Sequence, residues 1–138
     1  MNRVLVTGGR NYGNREHVYR VLDSLQPVQI VIHGDAGGAD TLAKEWAIER
    51  GVPHDPHPAD WENLDGVPRS HRKFNIRTKR MYNVKAGFDR NEEMLRRTCP
   101  THVVAFTGGS GTNDMCWRTI SARRAGQAVE FMDLRGEG

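Results

Sequence analysis

Two glycine-rich segments combine the residue types that proteins use to hold phosphate. The first runs Thr7-Gly8-Gly9-Arg10, and the second runs Thr107-Gly108-Gly109-Ser110-Gly111-Thr112. Glycine permits close approach of the backbone, and a helix that follows such a loop presents unpaired N–H groups and the positive end of its dipole. We therefore expect these loops to bind the anionic group of a ligand. The candidate ligand-binding residues are Gly8, Gly9, Gly108, Gly109, Ser110, Gly111 and Thr112. The alternative is that these glycines only form tight turns.

Neither segment follows the best-known nucleotide-binding patterns. GxGxxG and GxxxxGK[ST] are both absent from the chain. A standard dinucleotide-binding domain or P-loop ATPase would carry one of them, because their glycines are placed for close contact with pyrophosphate. The sequence therefore favours a different kind of nucleotide site.

Polar residues near these loops could complete such a site. Arg10 follows the first loop and could grip phosphate, and the Tyr12 ring could stack on a base. A further glycine-rich turn begins at His33-Gly34 and ends at Asp40, so all three are candidate ligand-binding residues. Asp40 could accept hydrogen bonds from a ribose, although an aspartate here is more often a helix cap, which we favour. His33 is at a strand end facing the predicted crevice, where a satisfied residue at the core edge is the alternative.

The elements that must position these residues alternate between short apolar runs and helical spacing. The predicted strands are Arg3–Val6, Val28–Ile32, Val52–His57, Thr101–Phe106 and Ala128–Met132. Between them, apolar residues recur at helical spacing in four segments. Five strands alternating with four helices predict an α/β fold, a single Rossmann-like open parallel sheet with helices on both faces. In such a sheet the ligand crevice lies where the strand order reverses, which here is beside the first and fourth strands.

One segment breaks this rhythm. Residues 58–86 are polar and basic and precede a helix predicted from about Gly87 to Arg97. Because the 138 residues fit one domain, we interpret this segment as a basic inserted loop or lid within a single domain, 1–138. Within it, Trp61 could cover a base or anchor the loop on the body of the domain.

The charge and composition of the chain narrow the range of binding partners to expect. The formal net charge is only +3, yet basic residues crowd positions 69–85. Such a cluster favours anionic partners, including nucleic acid, and its alternative is a solvated basic loop. The only two cysteines, Cys99 and Cys116, form no disulfide or zinc pattern. On an extended segment, His54 and His57 would point to opposite faces, so we expect no metal and no cofactor.

Targeting signals are not evident. The chain leads directly into a strand pattern, and no apolar run approaches the roughly 20 residues that a spanning helix needs. We therefore expect a cytoplasmic protein that has no membrane partner.

Six motifs in order, spread over nearly the whole chain, resemble one family. They are Thr7-Gly8-Gly9-Arg10-Asn11-Tyr12, His33-Gly34-Asp35-Ala36-Gly37-Gly38-Ala39-Asp40, Trp46-Ala47, Pro58-Ala59-Asp60-Trp61, Arg90-Asn91-Glu92-Glu93-Met94 and Phe106-Thr107-Gly108-Gly109-Ser110-Gly111-Thr112. Together they resemble the YspA-type, cpYpsA-related branch of the SLOG superfamily, which joins DprA with the LOG phosphoribohydrolases. The resemblance implies a Rossmann-like sheet that binds nucleotides or derivatives such as ADP-ribose relatives. It also implies a phage or bacterial source and a homo-oligomer.

The resemblance extends to individual residues, with departures. Arg90 matches the arginine of the enzymatic LOG proteins, whereas Asn91 replaces their lysine, so both are candidate ligand-binding residues. Asp114 and Met115 fall where a glutamate pair would be, and Thr107 replaces a proline. Asp114 and Arg90 are the candidate catalytic residues, and the alternatives are helix-dipole stabilisation and a surface ion pair.

Three functions remain open at this point. The leading hypothesis is a module that senses or sequesters a nucleotide-derived small molecule. The second is an N-glycosidase or phosphoribohydrolase acting on nucleoside monophosphates, which needs an acid or base near the leaving group. The third is DprA-like nucleic-acid binding through residues 69–85, with Phe74 or Tyr82 stacking on bases.

Overall fold

The computed structural model describes residues 1–137. In chain order the elements are β1 (Asn2–Thr7), α1 (Arg15–Ser24), β2 (Val28–His33), α2 (Ala39–Arg50), β3 (His54–Pro56), a 3₁₀ turn (Arg69–His71), β4 (Arg72–Asn75), β5 (Arg80–Asn83), α3 (Ala86–Thr98), β6 (His102–Ala105), α4 (Ser110–Arg124) and β7 (Glu130–Asp133). Five strands form a parallel sheet in the order β3-β2-β1-β6-β7. With four helices packed around it, this confirms the predicted Rossmann-like α/β fold.

The strand order places two glycine loops side by side. β1 pairs with β2 on one edge and with β6 on the other, and Thr7 at the end of β1 lies opposite Ala105 at the end of β6. The strand order therefore reverses between β1 and β6. In open α/β sheets, this is the position where a crevice forms beyond the carboxyl ends of the strands.

The three central strands β1, β2 and β6 are largely apolar on both faces, as buried parallel strands require. Alternate residues of β1 point to opposite sides, so Val4 and Val6 join one core cluster and Leu5 joins the other. The first cluster packs under α1 and α2 around Trp46, which is fully buried. The second cluster packs under α3 and α4 around residues such as Met94.

Helix boundaries follow local chemistry. The Asn14 side chain accepts a hydrogen bond of 3.1 Å from the His17 N–H and begins α1. Gly51 adopts a left-handed conformation, with φ +68°, and ends α2. Helix α3 spans Ala86–Thr98, one residue longer at each end than predicted.

The segment predicted as an irregular loop contains secondary structure. β4 and β5 form an antiparallel hairpin in which Phe74 lies opposite Met81. At its turn, Asn75 Oδ1 accepts hydrogen bonds from the N–H groups of Arg77 and Thr78, and Lys79 takes a positive φ of 56°. The hairpin had no sequence signal because its strands are mostly charged and exposed, without the apolar alternation of a half-buried strand.

A search of residues 1–137 for membrane-spanning segments finds no helix with the length and apolar character to cross a bilayer.

Candidate functional site

A cleft of about 340 Å³ opens between the two glycine loops, at the carboxyl ends of β1 and β6. Its walls come from the loops after β1, β2 and β6, from the start of α3 and from the inserted segment. The lining residues are Thr7, Gly8, Gly9, Arg10, Ala36, Asp40, Trp61, Val84, Gly87, Phe88, Arg90, Asn91, Gly109, Ser110, Gly111 and Thr112. Most of the residues predicted to bind a ligand therefore lie around one cleft.

Glycines allow three backbone segments to meet at its floor. The Gly9 N–H donates to the Thr107 carbonyl at 2.9 Å, and a Cβ at Gly9 would lie 3.1 Å from the Gly108 Cα. Gly38 has a positive φ of 54° and packs against the Gly9 carbonyl so closely that a Cβ there would overlap it. The two loops and the α2 turn are therefore held together by contacts that a side chain would disrupt.

Asp40 does not cap α2, which corrects the interpretation favoured from the sequence. The N-cap is Gly38, without a side-chain cap bond. Asp40 instead lies in the first turn, where its Oδ2 accepts from the N–H groups of Gly34 at 3.1 Å and Ala36 at 3.2 Å. The side chain thus fixes the preceding loop. The sequence pattern did not separate these roles, because both place an aspartate at a helix start.

Only one oxygen of Asp40 is used in this way. The residue is 4% exposed, and Oδ1 forms no hydrogen bond with the described residues. Since every fully buried side-chain oxygen or nitrogen among residues 1–137 has a partner, Oδ1 is the part of Asp40 open to the cleft. Burial raises the pKa of this carboxyl to about 6, although the two N–H donors and the charge of Arg90 oppose the rise.

The Arg90 guanidinium also contacts the Gly34 turn. Its Nη1 donates to the Gly34 carbonyl at 2.7 Å and to the His57 carbonyl at 3.2 Å, and its Nε donates to Asn91 Oδ1 at 3.0 Å. The contact needs a glycine, because a Cβ at position 34 would overlap the guanidinium. Burial, reinforced by the charge of nearby Arg10, lowers the pKa of Arg90.

Arg90 has no ion-pair partner in the described part of the chain, although Asp40 acts on it through its charge. Its hydrogen-bond acceptors are two carbonyls and an amide, and it forms no ion pair with a carboxylate of residues 1–137. Its Nη2 donates to none of those residues. A half-buried guanidinium held in this way is a candidate anion-binding group.

The start of α4 adds further donors. Its N-cap is Gly109, which provides no side-chain cap bond, and the first bond of the helix is from the Asn113 N–H to the Gly109 carbonyl at 3.0 Å. The N–H groups of Ser110, Gly111 and Thr112 consequently have no partner within residues 1–137. These three donors and the positive end of the helix dipole border the same cleft as Arg90.

Asn91 fixes that helix start relative to α3. Its side chain is buried, and Nδ2 donates to the Gly111 carbonyl at 3.0 Å and to Asp114 Oδ2 at 3.1 Å. Its Oδ1 accepts from Arg90 Nε. With both ends of its amide occupied, Asn91 positions the groups on either side of the cleft.

Aromatic and apolar groups form the outer wall. The Arg10 guanidinium lies 5.7 Å from the centre of the Trp61 ring, and Trp61 meets Tyr82 of the hairpin edge to face, with 6.4 Å between ring centres. A Cβ at Gly87 would lie 3.3 Å from the Trp61 ring, so glycine lets this ring approach the start of α3. Sequence reasoning missed Gly87 and Phe88, because a glycine in a first helical turn has no distinctive pattern.

Five predicted site residues lie outside the cleft lining. Tyr12 packs on Phe106, with 5.3 Å between ring centres, and its hydroxyl bonds to His17 Nδ1 at 3.0 Å, so its ring belongs to the core. Asp114 Oδ2 is bound by Arg118 Nε at 2.8 Å as well as by Asn91, which makes it a structural partner of α3 and α4. The remaining three are Gly34, Gly108 and His33.

His33 is fully buried beside β3, where its Nδ1 accepts from the Asp35 N–H at 3.1 Å. Nδ1 must therefore be unprotonated, so Nε2 carries the hydrogen and donates to His54 Nδ1 at 3.1 Å. Burial, followed by the charge of His54, lowers the pKa of His33 to about 4. His57, three residues after His54, bonds to Asp55 Oδ2 at 2.8 Å.

Arg90 also borders a second, wider cavity of about 530 Å³. That cavity is polar, and it is lined by the inserted segment and the outer face of α3, including His57, His71, Asp89 and Glu93. Arg90 thus lies between the cleft and this second cavity.

Comparison with known proteins identifies the family. Residues 2–64 match the family described as YspA, cpYpsA-related SLOG family. The chain is 33% identical to the Gene 61 protein of Mycobacterium phage D29, with 94% of each chain covered. Its structure is similar to DNA processing protein A (DprA) from Streptococcus pneumoniae, with a TM-score of 0.65 and 18% identity.

That structural match covers 99% of this chain and 51% of the DprA chain, so this protein spans about half the length of DprA. At this identity the likeness establishes the fold alone. The sequence match to the phage protein and the family match to residues 2–64 agree with the motifs quoted above. The chain belongs to the YspA, cpYpsA-related SLOG family.

Proposed function

We propose that this protein binds a nucleotide or nucleotide-derived ligand in the cleft between the two glycine loops, as a sensor or sequestering module. Arg90 is the observation that carries the proposal. The hydrogen-bond acceptors of this half-buried guanidinium are all neutral; Asp40 acts on it through its charge, but no carboxylate of residues 1–137 pairs with it to place a negative charge at the guanidinium itself. A phosphate bound there would supply that charge and accept charge-assisted hydrogen bonds.

The rest of the cleft fits the other parts of such a ligand. The unpartnered N–H groups at the start of α4 suit phosphate oxygens, and Arg10 adds a second positive charge. Trp61, Val84 and Phe88 offer aromatic and apolar surface on which a base could lie. Small-molecule sites commonly have volumes of about 300–1,000 Å³, and the cleft falls within that range.

Hydrolysis of a nucleoside monophosphate is less well supported as a second function of this cleft. The acid proposed for it, Asp114, is bonded to Asn91 and Arg118 and lies outside the cleft lining. The carboxyl group that lines the cleft is Asp40. If the protein is nevertheless a hydrolase through Asp114, release of base must be lost in Asp114→Asn.

The test is a thermal-shift panel of AMP, ADP-ribose, NAD and cyclic nucleotides, followed by chromatography of the products. A ligand that binds the native state raises the free energy of unfolding by mass action, by about 2.7 kcal/mol at a ligand concentration a hundredfold above Kd, and Tm rises as a result. We expect a shift with intact ligand, and we expect Arg90→Gln to abolish it. Arg97→Gln is the matched control, since Arg97 is exposed on the same helix and its one ion pair within residues 1–137 is with Glu93. A shift that survives Arg90→Gln would contradict the proposal.

Nucleic-acid binding is a second candidate, and the hairpin favours it. Phe74 and Met81, which face each other across β4 and β5, are 57% and 42% exposed, and Ile76 at the turn is 82% exposed. Basic side chains surround them at positions 72, 73, 77, 79 and 80. An exposed aromatic ring among positive charges suits single strands, and the structural neighbour DprA is named as a DNA processing protein.

Its test is the salt dependence of binding to a single-stranded oligonucleotide. Phosphate contacts make affinity fall steeply as salt rises. We expect Phe74→Ala to weaken binding by about 1–3 kcal/mol if a base stacks there. Ile48→Ala is the control, because Ile48 is equally exposed, at 61%, but lies on α2. Binding that is insensitive to salt and to Phe74 would eliminate this candidate.

We further propose that the protein is a homo-oligomer. An apolar groove between α3, α4 and the start of β7 supports this, because it is bordered by Leu95, Pro100 and Trp117, and Trp117 is 63% exposed. Light scattering during size-exclusion chromatography measures the state directly. A monomeric mass at micromolar concentration would contradict the proposal.

A further inference from the structure

We propose that Asp40 makes the cleft selective for a phosphorylated ribose, by accepting a hydrogen bond from a sugar hydroxyl beside the bound phosphate. This inference rests on the proposed function, since it names the ligand class for the same cleft. It begins from an imbalance in the lining. Arg10 and Arg90 are cationic, and Asp40 is the one carboxylate among the lining residues that the structure describes.

The free oxygen of Asp40 is held in place for an incoming donor. The N–H groups of Gly34 and Ala36 both donate to Oδ2, which leaves Oδ1 without a partner in the described residues. Asp40 is nevertheless buried, with only 4% of its surface exposed. Arg90 acts on Asp40 through its charge but does not form an ion pair with it. Oδ1 is therefore an acceptor that the protein positions and does not itself satisfy.

An anion alone is a poor match for this arrangement. Phosphate would be attracted by Arg90 and by the start of α4, and repelled by the Asp40 carboxylate. A ligand that places a hydroxyl next to its phosphate resolves the conflict, because O–H donates to Oδ1 while phosphate accepts from the cationic side. Such O–H···O⁻ bonds are among the stronger hydrogen bonds in proteins.

The position of Asp40 favours a sugar over a base amino group. Asp40 follows Gly38 by two residues, and Gly38 packs on the backbone of the first glycine loop, where phosphate is expected. In a nucleotide the ribose is attached directly to the phosphate, and the base lies beyond it. The group nearest the phosphate is therefore a ribose hydroxyl, and an exocyclic amine would be on the Trp61 side.

The test is calorimetric titration of AMP, 2′-deoxy-AMP, 3′-deoxy-AMP and inorganic phosphate at about pH 7.5, where a carboxyl with a pKa of about 6 is ionised. For wild type we expect at least one deoxy analogue to bind about 10-fold or more weakly than AMP, as for loss of a hydrogen bond to a charged group. Inorganic phosphate should bind more weakly than AMP as well.

The variant Asp40→Asn tests the role of the carboxylate oxygen directly. An asparagine can keep both loop bonds by turning its oxygen towards Gly34 and Ala36, and its NH₂ group then faces the cleft as a donor. We expect the preference for AMP over the deoxy analogues to disappear and phosphate affinity to rise. Asp35→Asn is the control, since Asp35 lies in the same turn, is exposed and should leave the preference unchanged.

The outcomes separate this inference from the function on which it rests. Equal binding of AMP and both deoxy analogues to wild type would overturn the inference while leaving nucleotide binding intact, and this result needs no variant. A full preference retained in Asp40→Asn would also overturn it. If neither AMP nor phosphate binds wild type, and Arg90→Gln changes nothing, both proposals fall.

Discussion

Replacing Asp40 by asparagine should change how stability depends on pH, because this carboxyl is buried and titrates abnormally. Burial raises its folded pKa to about 6, against an ordinary value of 3.8 for an aspartate side chain. The unfolded chain therefore holds fewer protons than the folded chain between these two values. Stability supplied by the protonated form is complete below the unfolded pKa and is lost as pH rises through the folded pKa.

The magnitude follows from the shift. One pKa unit corresponds to 1.36 kcal/mol, so a rise of about two units costs the folded state about 3 kcal/mol once Asp40 is ionised. Because the residue is only 4% exposed, solvent screening does not reduce this figure much. Asparagine carries no charge and keeps an oxygen acceptor for the loop, so the variant lacks this penalty.

The assay is urea unfolding of wild type and Asp40→Asn at a series of pH values, with the difference in unfolding free energy as the readout. Other groups titrate in both proteins and cancel in the difference. Wild type should lose about 2–3 kcal/mol relative to the variant between about pH 4 and pH 7.5. A difference that is independent of pH, or that changes in the opposite direction, would refute the argument that Asp40 is buried without full compensation.

Two further substitutions test the turn and its neighbour. His33→Gln should remove a pH dependence of the opposite sign. Because the folded pKa of His33 is about 4, the wild-type protein should lose about 3 kcal/mol of stability as pH falls from about 6.5 to about 4. Urea unfolding at those two pH values tests this, and the variant should not show the loss. Gly38→Ala should lower stability by about 2–4 kcal/mol in thermal melts, because it combines a positive φ with overlap on the Gly9 carbonyl. An unchanged Tm for Gly38→Ala would show that the loops can separate.

The fold could be predicted because its signals are local. Buried parallel strands such as Val28–His33 are apolar runs that end at glycine turns, and helices such as α1 show apolar residues on one face. The hairpin could not be predicted, because Arg72–Asn75 and Arg80–Asn83 lack an apolar face and pair with each other instead of joining the sheet. Asn75 closes its turn, and its Tyr82 contacts Trp61.

The candidate site was predictable where topology alone brings residues together. Gly9 and Gly109 follow strands that are neighbours in the sheet, so their meeting follows from strand order. The contact between Arg90 and the Gly34 carbonyl spans 56 residues and depends on how α3 packs, which no local pattern encodes. For the same reason, the placement of Asp114 on Arg118 and away from the cleft required the structure. That these residues bind a ligand stays a prediction.

The central claim is that the guanidinium of Arg90 receives the phosphate of a nucleotide, and Gly34→Ala tests it without altering Arg90. A methyl group at position 34 would displace this guanidinium, whereas the same substitution at Gly13, where a Cβ meets no atom within 4 Å, leaves the cleft unchanged. The measurement is the dissociation constant of AMP for wild type and both variants. The account predicts a loss of about 10-fold or more in affinity for Gly34→Ala and none for Gly13→Ala. Equal affinities in all three proteins would contradict it.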